Sequence, residues 1–363
     1  MRNFSKTKRI VIKVGTNVLS KGTRVDTVFL RVIARQIAEL VQQRRQAILV
    51  TSGAIGMGMG AIGIHKKLTE VKLRQACAAV GQSILMHEYH KAFGRYGQKV
   101  AQVLLTSDIM SHRKHYVNLK NTMETLLNMG LVPVVNENDC VSIEEIDLAF
   151  GDNDRLSALV ASKIDAGLLI ILTDVAGLCD KNPQEDKSAK LIPVVHEITN
   201  EIEAMAGKPG SHLSVGGMAT KIAAIRIAAD AGCRVVLAHG RERDVILRIV
   251  AGEEIGTLFL PKRRLSNRKR WILNAQARGR IDVDPGAAQA MMDNRSLLLV
   301  GVTNVHGSFQ AGDVAEIGDV AKGISKISSV QLRSLIEEMR RVGKQKSGKR
   351  RVVVHVNDLV TLG

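Results

Sequence analysis

Along roughly the first 250 residues, short β-branched apolar runs alternate with longer segments whose apolar positions recur at helical spacing. The runs at 10–14, 47–51, 100–105, 131–135, 168–172 and 234–238 predict strands. The segments at 28–44, 71–93, 116–129, 155–163 and 219–231 predict helices between them. Strand, helix, strand, helix requires crossovers onto a mostly parallel sheet. Strands that are apolar on both faces need helices covering both sides. The expected fold class is therefore α/β, three αβα layers with a mostly parallel central sheet.

Beyond Pro261 the texture changes. Arg263, Arg264, Arg268, Lys269 and Arg270 form a basic stretch that ends at the only tryptophan, Trp271. Short strand patterns follow, separated by the turn signals Asp284-Pro285-Gly286, Gly301, Gly307-Ser308 and Gly312-Asp313, and 352–356 reads as a final strand. This predicts a small, mainly β second domain. The expected organisation is a first domain at 1–264, a linker at 265–278 and the second domain at 279–363.

Composition narrows the class. With 45% hydrophobic and 24% charged residues, the chain matches soluble globular proteins and not disordered ones. Its longest apolar runs, such as 168–172 and 297–300, are far short of the roughly 18 residues a membrane helix needs. The basic start is followed by an apolar stretch broken at Lys13, which does not fit a secretory leader, so a cytoplasmic location is expected. Four cysteines, Cys77, Cys140, Cys179 and Cys233, stand at wide spacings and predict reduced, mostly buried thiols. The histidine pairs His87/His90 and His112/His115 lack nearby carboxylates or thiolates, and no metal site is expected. The formal net charge is +17, and the stretch from Pro261 onward carries 19 Lys/Arg against 9 Asp/Glu. Such a surface favours anionic partners.

In open α/β sheets ligands bind beyond the carboxyl ends of the strands. Here those ends carry Lys13 with Gly15-Thr16-Asn17, then Thr51-Ser52-Gly53-Ala54, Asn136-Glu137-Asn138-Asp139 and Thr173-Asp174, while Gly151-Asp152-Asn153-Asp154 precedes a helix. Lys13 interrupts an apolar strand, and a buried ammonium calls for an anion such as phosphate; a frayed strand end reaching solvent is the alternative. Ser214 to Lys221 opens a helix with Gly216-Gly217, where backbone N–H groups and the helix dipole suit phosphate. Two other matches are discounted. Gly58 to Gly63 reads G-x-G-x-x-G but lies beyond its strand and lacks the later acidic residue of a dinucleotide site. Gly343 to Lys349 reads G-x-x-x-x-G-K but is followed by Arg350 and leads into a strand.

Together these residues resemble the glutamate 5-kinase family, within the amino-acid kinase superfamily. The resemblance rests on Val11-Ile12-Lys13-Val14-Gly15-Thr16, Val50-Thr51-Ser52-Gly53-Ala54-Ile55, Pro133 through Asp139, Gly151-Asp152-Asn153-Asp154, Leu172-Thr173-Asp174 and Gly216-Gly217-Met218-Ala219-Thr220-Lys221, in family order. The remainder resembles a PUA domain through Ile281 to Ala287, Ser296-Leu297-Leu298, Gly307-Ser308-Phe309 and His355 to Leu359. The resemblance implies an amino-acid kinase fold with a PUA-like domain. It also implies ATP-dependent phosphorylation of the side-chain carboxylate of L-glutamate, the first step of proline biosynthesis, with Mg²⁺ accompanying ATP. Carried over by motif, Lys13 and Lys221 serve the transferring and leaving phosphate oxygens, and Asp154 orients them. Ser52, Asp139 and Asn153 hold glutamate. Thr173 and Asp174 contact the nucleotide, and the loop Val215, Gly216, Gly217, Met218, Ala219, Thr220 and Lys221 cradles its phosphates. Feedback inhibition by proline and a homo-oligomer are further implications. The alternatives are a kinase for N-acetylglutamate or aspartate, or an RNA-binding protein acting through the basic PUA-like domain.

Overall fold

The computed structural model describes residues 2–21, 24–65, 68–106, 113–141, 153–183, 185–206, 217–261, 266–342 and 351–362. Two compact units divide the chain, one made of 1–109 and 114–264 and the other of 110–113 and 265–363.

The six strand runs of the first unit form β1 (Arg9–Val14), β2 (Gln46–Val50), β3 (Val100–Leu105), β4 (Val132–Glu137), β5 (Leu168–Thr173) and, after a two-residue β6 (Val194–Val195), β7 (Arg234–His239). β8 (Thr257–Phe259) completes the sheet in the order β3-β4-β2-β1-β5-β7-β8-β6. The pairings from β3 to β7 are all parallel, and β8 turns antiparallel to β7. The helices of this unit include α1 (Thr27–Gln42), α2 (Ala54–Ala61), α3 (Val71–Gly94), α4 (Arg113–Asn128), α5 (Asp154–Lys163), α6 (Met218–Asp230) and α7 (Val245–Ala251). The five expected segments become α1, α3, α4, α5 and α6, while α2 and α7 were not expected.

Local chemistry explains the starts and faces of these helices. Asp26 caps α1 by accepting from the N–H groups of Val28 and Phe29. The helix then buries Phe29, Leu30, Ile33, Ala34 and Ile37 at helical spacing. That face joins Ile10, Ile12 and Val14 of β1, Leu85 and Tyr89 of α3, and Val245 and Ile249 of α7 in one core. Alternation along β1 turns Val11 and Lys13 to the opposite side, where α5 lies. Helices thus cover both faces of a mostly parallel sheet.

The discounted glycine motif has a structural use. α2 crosses α3 so closely that a Cβ on Gly58 would stand 1.8 Å from the Cys77 carbonyl oxygen, and one on Gly81 would stand 1.8 Å from that of Ala54. The lysine-ending match at 343–349 lies outside the described residues. The cysteines are free; Cys77 and Cys233 are buried, but Cys140 is exposed and Cys179 half-buried, so the expected burial holds only in part.

The second unit is built on β9 (Gly279–Val283), β10 (Leu297–Leu298), β11 (Val302–Gly307), β12 (Val314–Ile317), β13 (Ala321–Ile324), β14 (Val352–Val354) and β15 (Leu359–Thr361). Its five-stranded sheet runs β11-β9-β12-β13-β15, with β10 paired to β14. Three readings are corrected. The stretch 265–278 is no plain linker, because Ser266 caps a helix, α8 (Asn267–Asn274), which buries Trp271 and Ile272 and packs on β13 and β15. Asp284-Pro285-Gly286 is a helix start: Asp284 accepts from the Ala287 N–H, and Pro285 opens α9 (Pro285–Met292), where its missing N–H costs nothing. The strand at 352 stops at Val354 and is not the last. α10 (Ser329–Val342), which buries Leu332, Ile336 and Met339 at helical spacing, is a further helix that the expected mainly β pattern did not include.

Candidate active site

Four neighbouring parallel strands, β4, β2, β1 and β5, bring their carboxyl ends to one edge of the sheet. The middle of that edge is charged. Lys13 lies in register with Val50 on β2 and Ile171 on β5, at the centre of the sheet. Its Nζ stands 2.8 Å from Asp154 Oδ1, and Lys221 Nζ stands 3.2 Å from Asp154 Oδ2. The lysine side chains are 0% and 6% exposed and the aspartate 0%. Asp154 begins α5, where the helix dipole favours a carboxylate, and Lys221 lies in the first turn of α6, packed alongside. Charges this deep cost several kcal/mol each unless paired. Two ammonium groups against one carboxylate leave the trio cationic, a setting that favours an anion.

On the β2 and β4 side, Asn153 precedes α5 in a left-handed conformation, φ 59°. Its Nδ2 donates to the Thr51 carbonyl at 2.5 Å and to Asn136 Oδ1 at 2.6 Å, with Ser52 Oγ farther off at 3.4 Å. Asn136, on β4, donates in turn to Gln82 Oε1 of α3 at 2.7 Å. The Thr51 hydroxyl meets the Tyr89 hydroxyl at 2.7 Å, and burial holds that phenol above its ordinary pKa. Asp139 lies two residues past β4; burial pushes its carboxyl up to about 6, opposed by the charge of Arg74.

On the β5 side, Thr173 Oγ1 donates to Asp174 Oδ1 at 3.0 Å, and Asn17 Nδ2 donates to Asp174 Oδ2 at 2.9 Å. Burial pushes the Asp174 carboxyl up, but these two hydrogen bonds, its own backbone and the Lys221 charge outweigh it and hold the pKa below the usual value. Gly217 caps α6, and Thr220 Oγ1 donates back to the Gly217 carbonyl at 2.7 Å. Half-buried Met218 and Ala219 and exposed Thr220 lead to buried Lys221. Val215 and Gly216 lie outside the described residues.

The structure therefore joins Lys13, Asp154 and Lys221 in direct contact, brings Ser52 to Asn153, and sets Thr173 beside Asp174. Asn136, Gln82, Tyr89 and Asn17 escaped the sequence reading as site residues. Asn136 and Asn17 stood inside the quoted motifs. Gln82 carried only a faint signal, a polar residue among the buried positions Cys77, Ala78, Leu85 and Met86 of α3.

Residues 8–239 match the amino acid kinase family, and residues 279–345 match the PUA domain. A glutamate 5-kinase of Methanosarcina mazei is 49% identical over 342 residues, which cover 91% of this chain and 89% of that protein. A glutamate 5-kinase of Moorella thermoacetica is 44% identical over 374 residues, covering 99% and 98%. The chain belongs to the glutamate 5-kinase family. As in the other glutamate 5-kinases it matches, the similarity spans both domains. Every expected site residue falls inside the amino acid kinase portion, and none in the PUA portion.

Proposed function

We propose that this chain transfers the γ-phosphoryl group of ATP to the side-chain carboxylate of L-glutamate, giving L-glutamyl 5-phosphate and opening proline biosynthesis. The observation that carries the reading is the buried Lys13–Asp154–Lys221 trio. It lies between the Asn153, Asn136 and Ser52 flank and the Thr173 and Asp174 flank.

The substrate carboxylate is ionised at neutral pH, since its ordinary pKa is about 4.3, so it attacks phosphorus without a general base. One of its oxygens bonds to the γ-phosphorus as the bond to the bridging oxygen breaks, and ADP leaves with that electron pair. The obstacle is repulsion between two anions and charge spread over the transferring oxygens. Lys13 and Lys221 neutralise that charge, and Asp154 fixes both ammonium groups before substrates arrive, so little reorganisation is needed. Ser52, Asp139 and Asn153 hold glutamate; the carboxylate of Asp139 pairs with the α-ammonium. Thr173, Asp174 and the start of α6 hold the nucleotide. Mg²⁺ comes with ATP, as a hard cation that keeps phosphate and water oxygens around it and neutralises phosphate charge.

The test is glutamate-dependent ADP release by wild type and Lys221→Ala. Turnover with glutamate should exceed that with N-acetylglutamate or aspartate, and Lys221→Ala should lose about 10²-fold or more in kcat. Faster turnover with either rival acid would reject the substrate assigned. The reading also includes proline inhibition at the glutamate pocket, a homo-oligomer, a cytoplasmic location and RNA contact by the basic PUA portion. Glutamate saturation curves that superimpose at all proline concentrations would remove the first of these.

A further inference from the structure

Hydrogen-bond accounting around Asn153 fixes which atom it can offer a ligand. The Thr51 backbone carbonyl can only accept, so the Asn153 atom 2.5 Å from it is the nitrogen. That nitrogen has two hydrogens. The second goes to Asn136 at 2.6 Å, which makes the facing Asn136 atom its oxygen. Asn136 then turns its own nitrogen to Gln82, whose facing atom at 2.7 Å is Oε1. The polarity of three carboxamides is thereby set in series, from β2 through α5 and β4 to α3.

Two consequences follow. Both Asn153 N–H groups are consumed within the protein, and among the described residues no hydrogen bond reaches its Oδ1. Asn153 is left with an acceptor to present, and the only donor on glutamate at neutral pH is its α-ammonium. At the far end, Gln82 Nε2 is buried with no hydrogen-bond partner among the described residues, in a residue that is 7% exposed. An unpartnered buried donor costs about 1–3 kcal/mol, so the Gln82 amide is kept for its oxygen.

We propose that Gln82 is a positioning residue for glutamate: through Asn136 it holds the Asn153 carboxamide with its oxygen turned to the substrate α-ammonium. This rests on the reading that glutamate binds beside Asn153. Gln82 touches no substrate atom itself. Removing its oxygen leaves the Asn136 amide nitrogen without its acceptor, so the Asn136 carboxamide is no longer held with its oxygen on Asn153, and one of the two bonds that lock Asn153 loses its support.

The experiment measures steady-state kinetics with glutamate and with glutarate, which lacks the ammonium group, for wild type, Gln82→Met, Gln82→Glu and Asn136→Ala. Met matches Gln in length; it removes the unpartnered Gln82 Nε2 and leaves the Asn136 Nδ2 donor unpartnered in its place, so thermal unfolding should change little. Gln82→Met should raise the glutamate KM about tenfold, leave the ATP KM within about twofold, and lower the glutamate-over-glutarate preference by about the same tenfold. Gln82→Glu keeps an acceptor oxygen in either protonation state and should restore both values to within about threefold of wild type. Asn136→Ala breaks the same chain one link nearer and should reproduce the Gln82→Met pattern, which keeps the test open if the latter folds poorly. Wild-type glutamate KM and preference in Gln82→Met or Asn136→Ala would overturn the proposal, as would a Gln82→Glu enzyme as impaired as Gln82→Met. A wild-type enzyme inactive on glutamate would instead overturn the underlying reading, and that control comes before any variant is compared.

Discussion

At the residue scale, burial decides what each charge can do. Asp154 is fully buried and balances two ammonium groups, so Asp154→Asn strips the carboxylate that both lysines face. Breaking a buried pair in this way costs about 3–5 kcal/mol. Urea unfolding should register that loss together with a collapse of turnover; unchanged stability would mean that the lysines do not depend on this carboxylate. Asp139 behaves differently, because burial raises its pKa to about 6. Below that pH the free enzyme carries a neutral acid there and loses the charge proposed to pair with the α-ammonium, so kcat/KM for glutamate should fall with acidification through pH 6. Binding of the ammonium favours the ionised form, so kcat itself should fall only at lower pH. Asp139→Asn should be weak at every pH and show no such limb. A wild-type profile that is flat between pH 5 and 7 would remove Asp139 from this role.

At the scale of elements, close approach and capping matter more than propensity. Gly58 and Gly81 let α2 and α3 cross with backbones almost touching. Gly81→Ala would drive a methyl group into the Ala54 carbonyl, and overpacking of this kind costs about 1–3 kcal/mol. Because α3 also carries Gln82 and Tyr89, the same substitution should raise the glutamate KM more than the ATP KM. In the second unit, Asp284→Ala removes the acceptor for the Ala287 N–H at the start of α9 and should cost about 1 kcal/mol in denaturant unfolding, while glutamate phosphorylation stays at the wild-type rate. A loss above about 3 kcal/mol would show that Asp284 does more than cap.

At the scale of the whole molecule, each unit has its own core, and all the proposed catalytic and binding groups belong to the first. A chain ending at Arg264 should therefore fold and phosphorylate glutamate with kcat/KM within about tenfold of the full chain, and an inactive but folded truncation would place part of the site in the PUA portion. The sequence by itself determined the order of the six longer strands and of α1, α3, α4, α5 and α6 in the first domain, because runs buried on both faces must be continuously apolar and the helices between them must turn an apolar face to the sheet. It also marked Lys13, since a lysine inside such a run calls either for an anionic partner or for a strand end open to water. α8 and α9 were not legible because a basic run hides helical spacing and a capping Asp-Pro looks the same as a turn, whereas α10 did carry apolar residues at helical spacing in Leu332, Ile336 and Met339. What only the tertiary structure decided is which groups meet. That Lys13 and Lys221 share Asp154, and that Gln82 reaches Asn136, depends on helix packing across the sheet, where an ångström separates an ion pair or hydrogen bond from none and local spacing along the chain carries no record of it.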